Sequence, residues 1–501
     1  MTTGPPDEAP DRYPAFLDHV RRTTYVGDAE EMLGWDQQVM MPEGGTPARS
    51  KQSSALSSVQ HDLLTDDRLG DWLDELEGRD LTPDRAAVVR EVRREHDRAV
   101  EVPEPLVAEI AETAANALPV WERAKADDDF DAFAPTLERM VELKREYAAA
   151  IDPDRDPYAV LFEEYEPYLG LDTAERGLER LRERLVELID EVEESDADLA
   201  EPFTGEYDPA DQDVLSRAVL DELGYDWERG RLDTAPHPFS TGTQFDARVT
   251  TRYEPDDPLS GLSSTVHEFG HATYTLGLPD DHYGTPLGSH RGLSVHESQS
   301  RLWENHVGRS RAFWDYFGPA VRDHLGVDAS NRDLYEAANR VCPDNRIRVD
   351  ADELTYHLHI VLRFEIERDL VSGDLAVADV PAVWNEKMEE YLGVRPETDS
   401  EGCLQDIHWT NGSLGYFATY SLGSVLAAQL YDAAREERDG LDGRIREGSF
   451  DALHEWLTTN VHRHGCRYET DDLVREATGE PFGADAFLDY VDRKFGALYG
   501  L

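Results

Sequence analysis

Apolar side chains recur at helical spacing along most of the chain. Leu178, Leu181, Leu185 and Leu188 follow one another at three- and four-residue steps within Thr173–Glu194, between positions that are mostly charged. One face of a 3.6-residue turn collects them, which predicts an amphipathic helix with a charged outer side. Asp11–Val39, Pro83–Val100, Leu106–Lys125 and Phe130–Ile151 carry a similar pattern and predict further helices closing over a core, with no chemistry of their own. Ser195–Asp213 is acidic and holds Pro202, Gly205 and Pro209, so it predicts a loop between helical layers. One segment breaks the pattern. Phe245, Ala247, Val249, Thr251 and Tyr253 alternate with Asp246, Arg248, Thr250 and Arg252, and period two predicts a strand with one polar face, an edge strand in the plainest case. There is no fixed-period repeat and no low-complexity linker. The expected architecture is one large, mainly α unit over residues 1–501, and the helices of about the first hundred are candidates for a cover over it.

Composition narrows what such a unit does. Acidic side chains number 106 against 49 basic ones, a formal net charge of −57. A chain this acidic repels phosphate backbones and anionic lipid, so nucleic acid and membrane surfaces are poor partners. Lysine occurs only at positions 51, 125, 144, 387 and 494, the remaining basic residues all being arginine. Excess carboxylate with little lysine suits a protein that stays hydrated in concentrated salt, where the Debye length falls to about 3 Å and like charges barely repel. A halophile's cytoplasm is the expected setting, and a cationic partner the alternative. Cys342, Cys403 and Cys466 are widely spaced and make neither a disulfide framework nor a CxxC pair. The polar, acidic Met1–Pro14 lacks a signal-peptide pattern, and no stretch approaches the roughly 18 consecutive apolar residues of a spanning helix.

The chemistry starts at His267-Glu268-Phe269-Gly270-His271, an HExxH pentad. Residues four apart share a helix face, so both imidazoles can reach one metal ion. Glu268 points about 100° around the helix, where a carboxylate can act as base on an activated water. A helix with two surface histidines is the plain alternative, but Leu262, Val266 and Phe269 supply an apolar side behind Ser263 and Ser264. A catalytic zinc site takes a third protein ligand and keeps one position open. Gly292–Arg301 predicts another helix and offers Glu297 or His296. Adjacent helical residues diverge by about 100°, so only one of the two faces the metal, and the spacing favours Glu297.

With these residues the chain resembles the carboxypeptidase Taq family of metallocarboxypeptidases, found in bacteria, archaea and some protozoa. The likeness runs in order over most of the sequence. It includes Trp35-Asp36-Gln37, His237-Pro238-Phe239, Asp246-x-Arg248-x-Thr250, the pentad and His296-Glu297-Ser298-Gln299. Ile347-Arg348-x-x-Ala351-Asp352, Gly402-x-x-Gln405-Asp406-x-His408-Trp409 and Gly415-Tyr416-Phe417 continue it. Ala418 and Ser424 depart from the expected Pro and Asn. The resemblance implies release of single C-terminal residues with broad tolerance and poor cleavage beside proline. It further implies an α-helical, saddle-like fold with a deep groove, usually a homodimer, and Zn2+ or in some members Co2+. It makes His267, His271 and Glu297 the ligands and Glu268 the general base.

A carboxypeptidase must hold a terminal carboxylate, and the planar fork of arginine suits this. Arg348 precedes a predicted helix, Asp350–Val371, and Asp352 is expected to orient its guanidinium. A purely structural Arg–Asp pair is the alternative, and Arg248 is the runner-up anchor. His408 and Tyr420, 12 residues apart around the Gly412–Gly415 turn, are the expected oxyanion donors, with Tyr416 as a substitute for Tyr420. Asp246 and Asp406 are expected to fix a histidine's tautomer, and His237 to line the groove. An endo-oligopeptidase, a dipeptidyl carboxypeptidase and a silent peptide-binding protein are the competing functions.

Overall fold

The computed structural model describes residues 12–501. Of the expected first helix, Asp11 and the preceding residues lie outside the described residues, and the helix runs Tyr13–Val39. Helices Pro83–Glu101, Glu104–Asp127, Phe130–Ile151 and Leu171–Glu193 follow the apolar pattern to within a few residues. Their starts are chemically marked. Asp129 accepts the Ala132 N–H at 3.2 Å, and Thr82 caps Pro83–Glu101 by accepting from Arg85. Leu178, Leu181, Leu185 and Leu188 of Leu171–Glu193 are all buried.

The expected loop from Ser195 ends earlier than its composition suggested. Pro209 opens the helix Pro209–Leu223 rather than breaking structure, with Asp208 accepting the Ala210 N–H at 2.9 Å. Proline in a first turn loses no hydrogen bond, because that N–H has no partner within the helix anyway. Likewise Arg348–Asp350 form a 3-10 turn, and the helix expected from Asp350 starts at Thr355 and runs to Ser372.

The period-two segment is a strand, but not at an edge. Three short strands, β1 (Gly230–Thr234), β2 (Ser240–Thr243) and β3 (Asp246–Thr251), lie in the order β1-β3-β2. β3 is therefore central, parallel to β1 and antiparallel to β2. Thr250 and Thr251 are both fully buried, which the alternation did not foresee. Each hydroxyl is satisfied: Thr250 Oγ1 donates to the Phe239 carbonyl at 3.0 Å and Thr251 Oγ1 to that of Gly261 at 2.9 Å. The first bond ties the His237-Pro238-Phe239 loop to β3. The second ties β3 to the first turns of the helix Pro258–Gly277, which carries the HExxH pentad.

Most buried apolar residues form one large core, and a second, smaller cluster joins Tyr13, Phe16, Leu69, Leu73 and Val88 to Leu287. Two glycines decide how closely the central helices approach. A Cβ on Gly270 would lie 2.5 Å from the Gln299 carbonyl oxygen, and one on Gly423 would lie 2.5 Å from Glu297 Cγ. Helices Pro258–Gly277, Leu293–Arg301 and Ala418–Glu437 consequently touch through backbone.

Candidate active site

Asp257 accepts the Ser260 N–H at 3.2 Å and starts the pentad helix. One face of it presents His267 and His271, whose ring centroids lie 5.0 Å apart. Across from them Glu297 Oε2 is 3.8 Å from His267 Nε2 and 3.4 Å from His271 Nε2. These three ligand-type atoms all fall within 4.8 Å of one another, a group able to hold a metal ion. Glu297, not His296, completes it. The His296 ring instead stacks on His271, centroids 4.2 Å apart and 16° between planes, with His290 packed edge-to-face with it at 4.4 Å.

Three residues that sequence reasoning missed prepare this group. Glu304 Oε2 lies 2.8 Å from His267 Nδ1, and Arg301 and Arg309 donate to the same carboxylate at 3.2 and 3.1 Å. Burial opposes ionisation of Glu304, yet Arg301, His267 and Arg309 outweigh it and hold its pKa well below the carboxylate range. An ionised carboxylate only accepts, so His267 donates its Nδ1 proton to Glu304 and turns Nε2 towards Glu297. Arg301 also donates to Glu297 Oε1 at 2.7 Å, leaving Oε2 for the histidine side. Burial raises the pKa of Glu297, but Arg301 and His267 pull it down to about 2. Glu304 reaches His267 from a π-helical stretch, Leu302–Gly308, in which the Arg309 N–H bonds back to the Glu304 carbonyl. The wider turn re-registers the face after Arg301. The i, i+4 and i, i+7 spacing of Glu297, Arg301 and Glu304 was a signal present in the sequence.

The donors fit a divalent ion of the zinc type: two imidazole nitrogens and one carboxylate oxygen, with His267 and Glu297 preset by hydrogen bonds on their far sides. Two buried polar atoms at this site, Glu268 Oε2 and His271 Nδ1, have no hydrogen-bond partner among the described residues. Burial raises the pKa of Glu268, against the lowering pull of His267 and His271.

A second cluster lies towards Arg348. Its Nε and Nη2 reach Asp406 Oδ1 at 2.9 and 2.8 Å, and its Nη1 is 3.4 Å from the Tyr356 hydroxyl. Arg363, fully buried, donates to Asp406 Oδ2 at 2.6 Å. Asp352 does not orient Arg348. It accepts from the Leu354 and Thr355 N–H groups and from the Thr355 hydroxyl, because a carboxylate at a helix start meets unpaired N–H donors first. Asp406 does not fix a histidine tautomer either, since it lies 3.9 Å from His408 Nδ1 and its oxygens are taken by the two arginines. Asp246 likewise serves no histidine. It chelates Arg248 at 2.9 and 2.6 Å, while that guanidinium lies 4.2 Å above the Trp35 ring. His237 is exposed.

His408 and Tyr420 do come together, Nε2 to hydroxyl 3.4 Å. The Tyr416 ring packs within 5.4 Å of His408 and 5.3 Å of Tyr420. Burial pushes the His408 pKa down to about 4 and that of Tyr420 well above the phenol range, so the pair is neutral. The departure at Ala418 still opens the helix there, and Ser424 Oγ donates to the Tyr420 carbonyl. Tyr356, also missed, joins the two clusters. Arg301 lies 4.8 Å above its ring and Arg348 6.0 Å.

A helical chain that brings the two histidines of an HExxH helix to a glutamate on a following helix belongs to the class of metallopeptidases. The model of the carboxypeptidase Taq (M32) metallopeptidase family matches residues 15–495. The thermostable carboxypeptidase 1 of Thermus thermophilus is 39% identical, over 97% of this chain and 99% of its own. The M32 carboxypeptidase of Deinococcus radiodurans superposes with a TM-score of 0.94 at 37% identity, covering 98% of this chain and 100% of that one. The Pyrococcus furiosus carboxypeptidase gives 0.94 at 35% identity, covering 97% and 99%. The chain belongs to the carboxypeptidase Taq family and is a metallocarboxypeptidase.

Proposed function

We propose that this enzyme removes single residues from peptide C-termini with broad side-chain tolerance, using His267, His271 and Glu297 to hold Zn2+, or Co2+ in its place. The observation that carries this reading is the convergence of those three donor atoms within 4.8 Å, beside an unpartnered carboxylate oxygen of Glu268. When bound, the ion supplies Lewis acidity to the scissile carbonyl and to water. Glu268 takes the proton of the attacking water and hands it to the leaving amine. Tyr420, kept as a phenol by burial, and His408 donate to the oxygen that becomes negative. Arg348, braced by Asp406, receives the terminal carboxylate and makes the enzyme count from that end. Arg248, His237 and Tyr416 contact more of the peptide.

The proposal extends to the whole chain as one peptidase domain, acting as a homodimer in the cytoplasm of a halophile. The acidic excess supports the last point, and no helix among the described residues is long and apolar enough to cross a membrane.

An N-blocked tetrapeptide at molar salt tests the chemistry, with the stripped enzyme, the enzyme restored with Zn2+ or Co2+, and a metal-loaded Glu268→Gln variant compared by product mass. Stepwise loss of single C-terminal residues is expected only with metal and only with Glu268. Dipeptide release or internal cuts would overturn the anchoring role of Arg348.

A further inference from the structure

Glu367 is a fully buried carboxylate with no ion-pair partner among the described residues. Three donors from three places in the chain converge on it. Trp409 Nε1 donates to Oε1 at 2.9 Å, and the Gly415 N–H and the Tyr158 hydroxyl donate to Oε2 at 3.0 and 3.2 Å. Trp409 directly follows His408 and Gly415 directly precedes Tyr416, so Glu367 grips both ends of the segment that carries His408 and Tyr416 and leads into the helix of Tyr420. The third donor belongs to the helix Pro157–Tyr165.

That short helix also reaches the metal-ligand side. Its last residue, Tyr165, packs against Tyr416 with centroids 5.1 Å apart. The next residue, Glu166, accepts the Ser294 N–H at 2.5 Å and the Ser294 hydroxyl at 2.6 Å, at the start of the helix that carries Glu297. Gly415, at φ +95°, packs so close that a Cβ there would lie 2.9 Å from the Phe162 nitrogen. The segment Tyr158–Glu166 therefore touches the Glu297 helix at one end and, through Glu367, the His408–Tyr420 arm at the other. A buried carboxylate costs stability unless its acceptor sites are filled, and here an apolar residue would leave three buried donors unpaired.

We propose that Glu367 is a positioning residue for the reaction: it sets the distance and orientation of the His408–Tyr420 pair relative to Glu297. It touches neither substrate nor metal. The inference rests on the oxyanion role given to His408 and Tyr420, and catalysis through such donors depends on placement within a fraction of an ångström.

The test is Glu367→Gln, which keeps the shape but turns one acceptor into an NH2 group facing other donors. For the tetrapeptide, kcat is expected to fall by about tenfold to a hundredfold at unchanged KM and unchanged bound metal. Added to Tyr420→Phe, the same change should cost little more, because both act through one arm. A lowered Tm with intact kcat, or losses that multiply in the double variant, would overturn the inference. Intact kcat in both Tyr420→Phe and His408→Ala would overturn the oxyanion reading and this inference with it. A loss in those two but not in Glu367→Gln would overturn this inference alone. If Glu367→Gln fails to fold, Tyr158→Phe and Trp409→Phe each remove a single donor and carry the same expectation in smaller measure.

Discussion

The metal-ligand cluster is a set of charges that satisfy one another before any ion arrives. Glu304 stands between Arg301, Arg309 and His267, and Arg301 stands between Glu304 and Glu297. Removing the charge of Glu304 frees the His267 ring and releases its tautomer. Glu304→Gln is therefore expected to weaken Zn2+ binding by about 10- to 100-fold, measured by competition with a chromogenic chelator. Asp406 makes a prediction for acid. Burial works against its ionised form, but Arg363 and Arg348 hold its pKa far below the value near 3.9 of a free aspartate. A carboxyl depressed on folding stabilises above its unfolded pKa, and that stability is lost as pH falls towards the folded value. Unfolding free energy should drop as pH falls below about 4, and the drop should be shallower in Asp406→Asn.

At the scale of elements, the site depends on three helices meeting at backbone distance. Gly423→Ala would drive a methyl into Glu297 from the opposite helix. Overpacking of this kind costs about 1–3 kcal/mol, read from denaturant unfolding, and bound metal should fall with it if Glu297 is the ligand proposed above. The amphipathic pattern located the long helices to within a few residues because burial of one face dominates their stability. It failed where a different force ruled. Asp208 and Pro209 begin a helix through capping, Thr250 and Thr251 enter the core because their hydroxyls find carbonyls, and β3 gains a neighbour on each side from strands of four and five residues. Strands that short carry too little periodicity to read. The π-helical turn at Leu302–Gly308 has no sequence mark either.

Over the whole molecule the dominant quantity is charge. A formal net charge of −57 on 501 residues means self-repulsion in dilute buffer, and salt removes it by shrinking the Debye length from about 30 Å at 0.01 M to about 3 Å at 1 M. Tm is expected to rise steeply with KCl up to molar concentrations, and activity lost on dilution should follow the same curve. A Tm indifferent to salt would remove the halophilic reading.

The sequence by itself determined the kind of protein this is. A helical period through most of the chain, an HExxH pentad, Glu297 at a workable distance and an arginine near a helix start are local or additive features, legible one residue type at a time. Which partner each polar group takes is different, because a hydrogen bond is settled by distances of a few tenths of an ångström between segments far apart in the chain. Asp352 looked like the partner of Arg348 and went to its own helix start, while Asp406, 58 residues away, took the guanidinium. Tyr356 and Glu367 had no separate signature, since tyrosine and glutamate are common on helices and only packing brings them to the site. The candidate ligands were legible because metal chemistry permits few residue types, and the groups that hold them in place were decided by the tertiary structure.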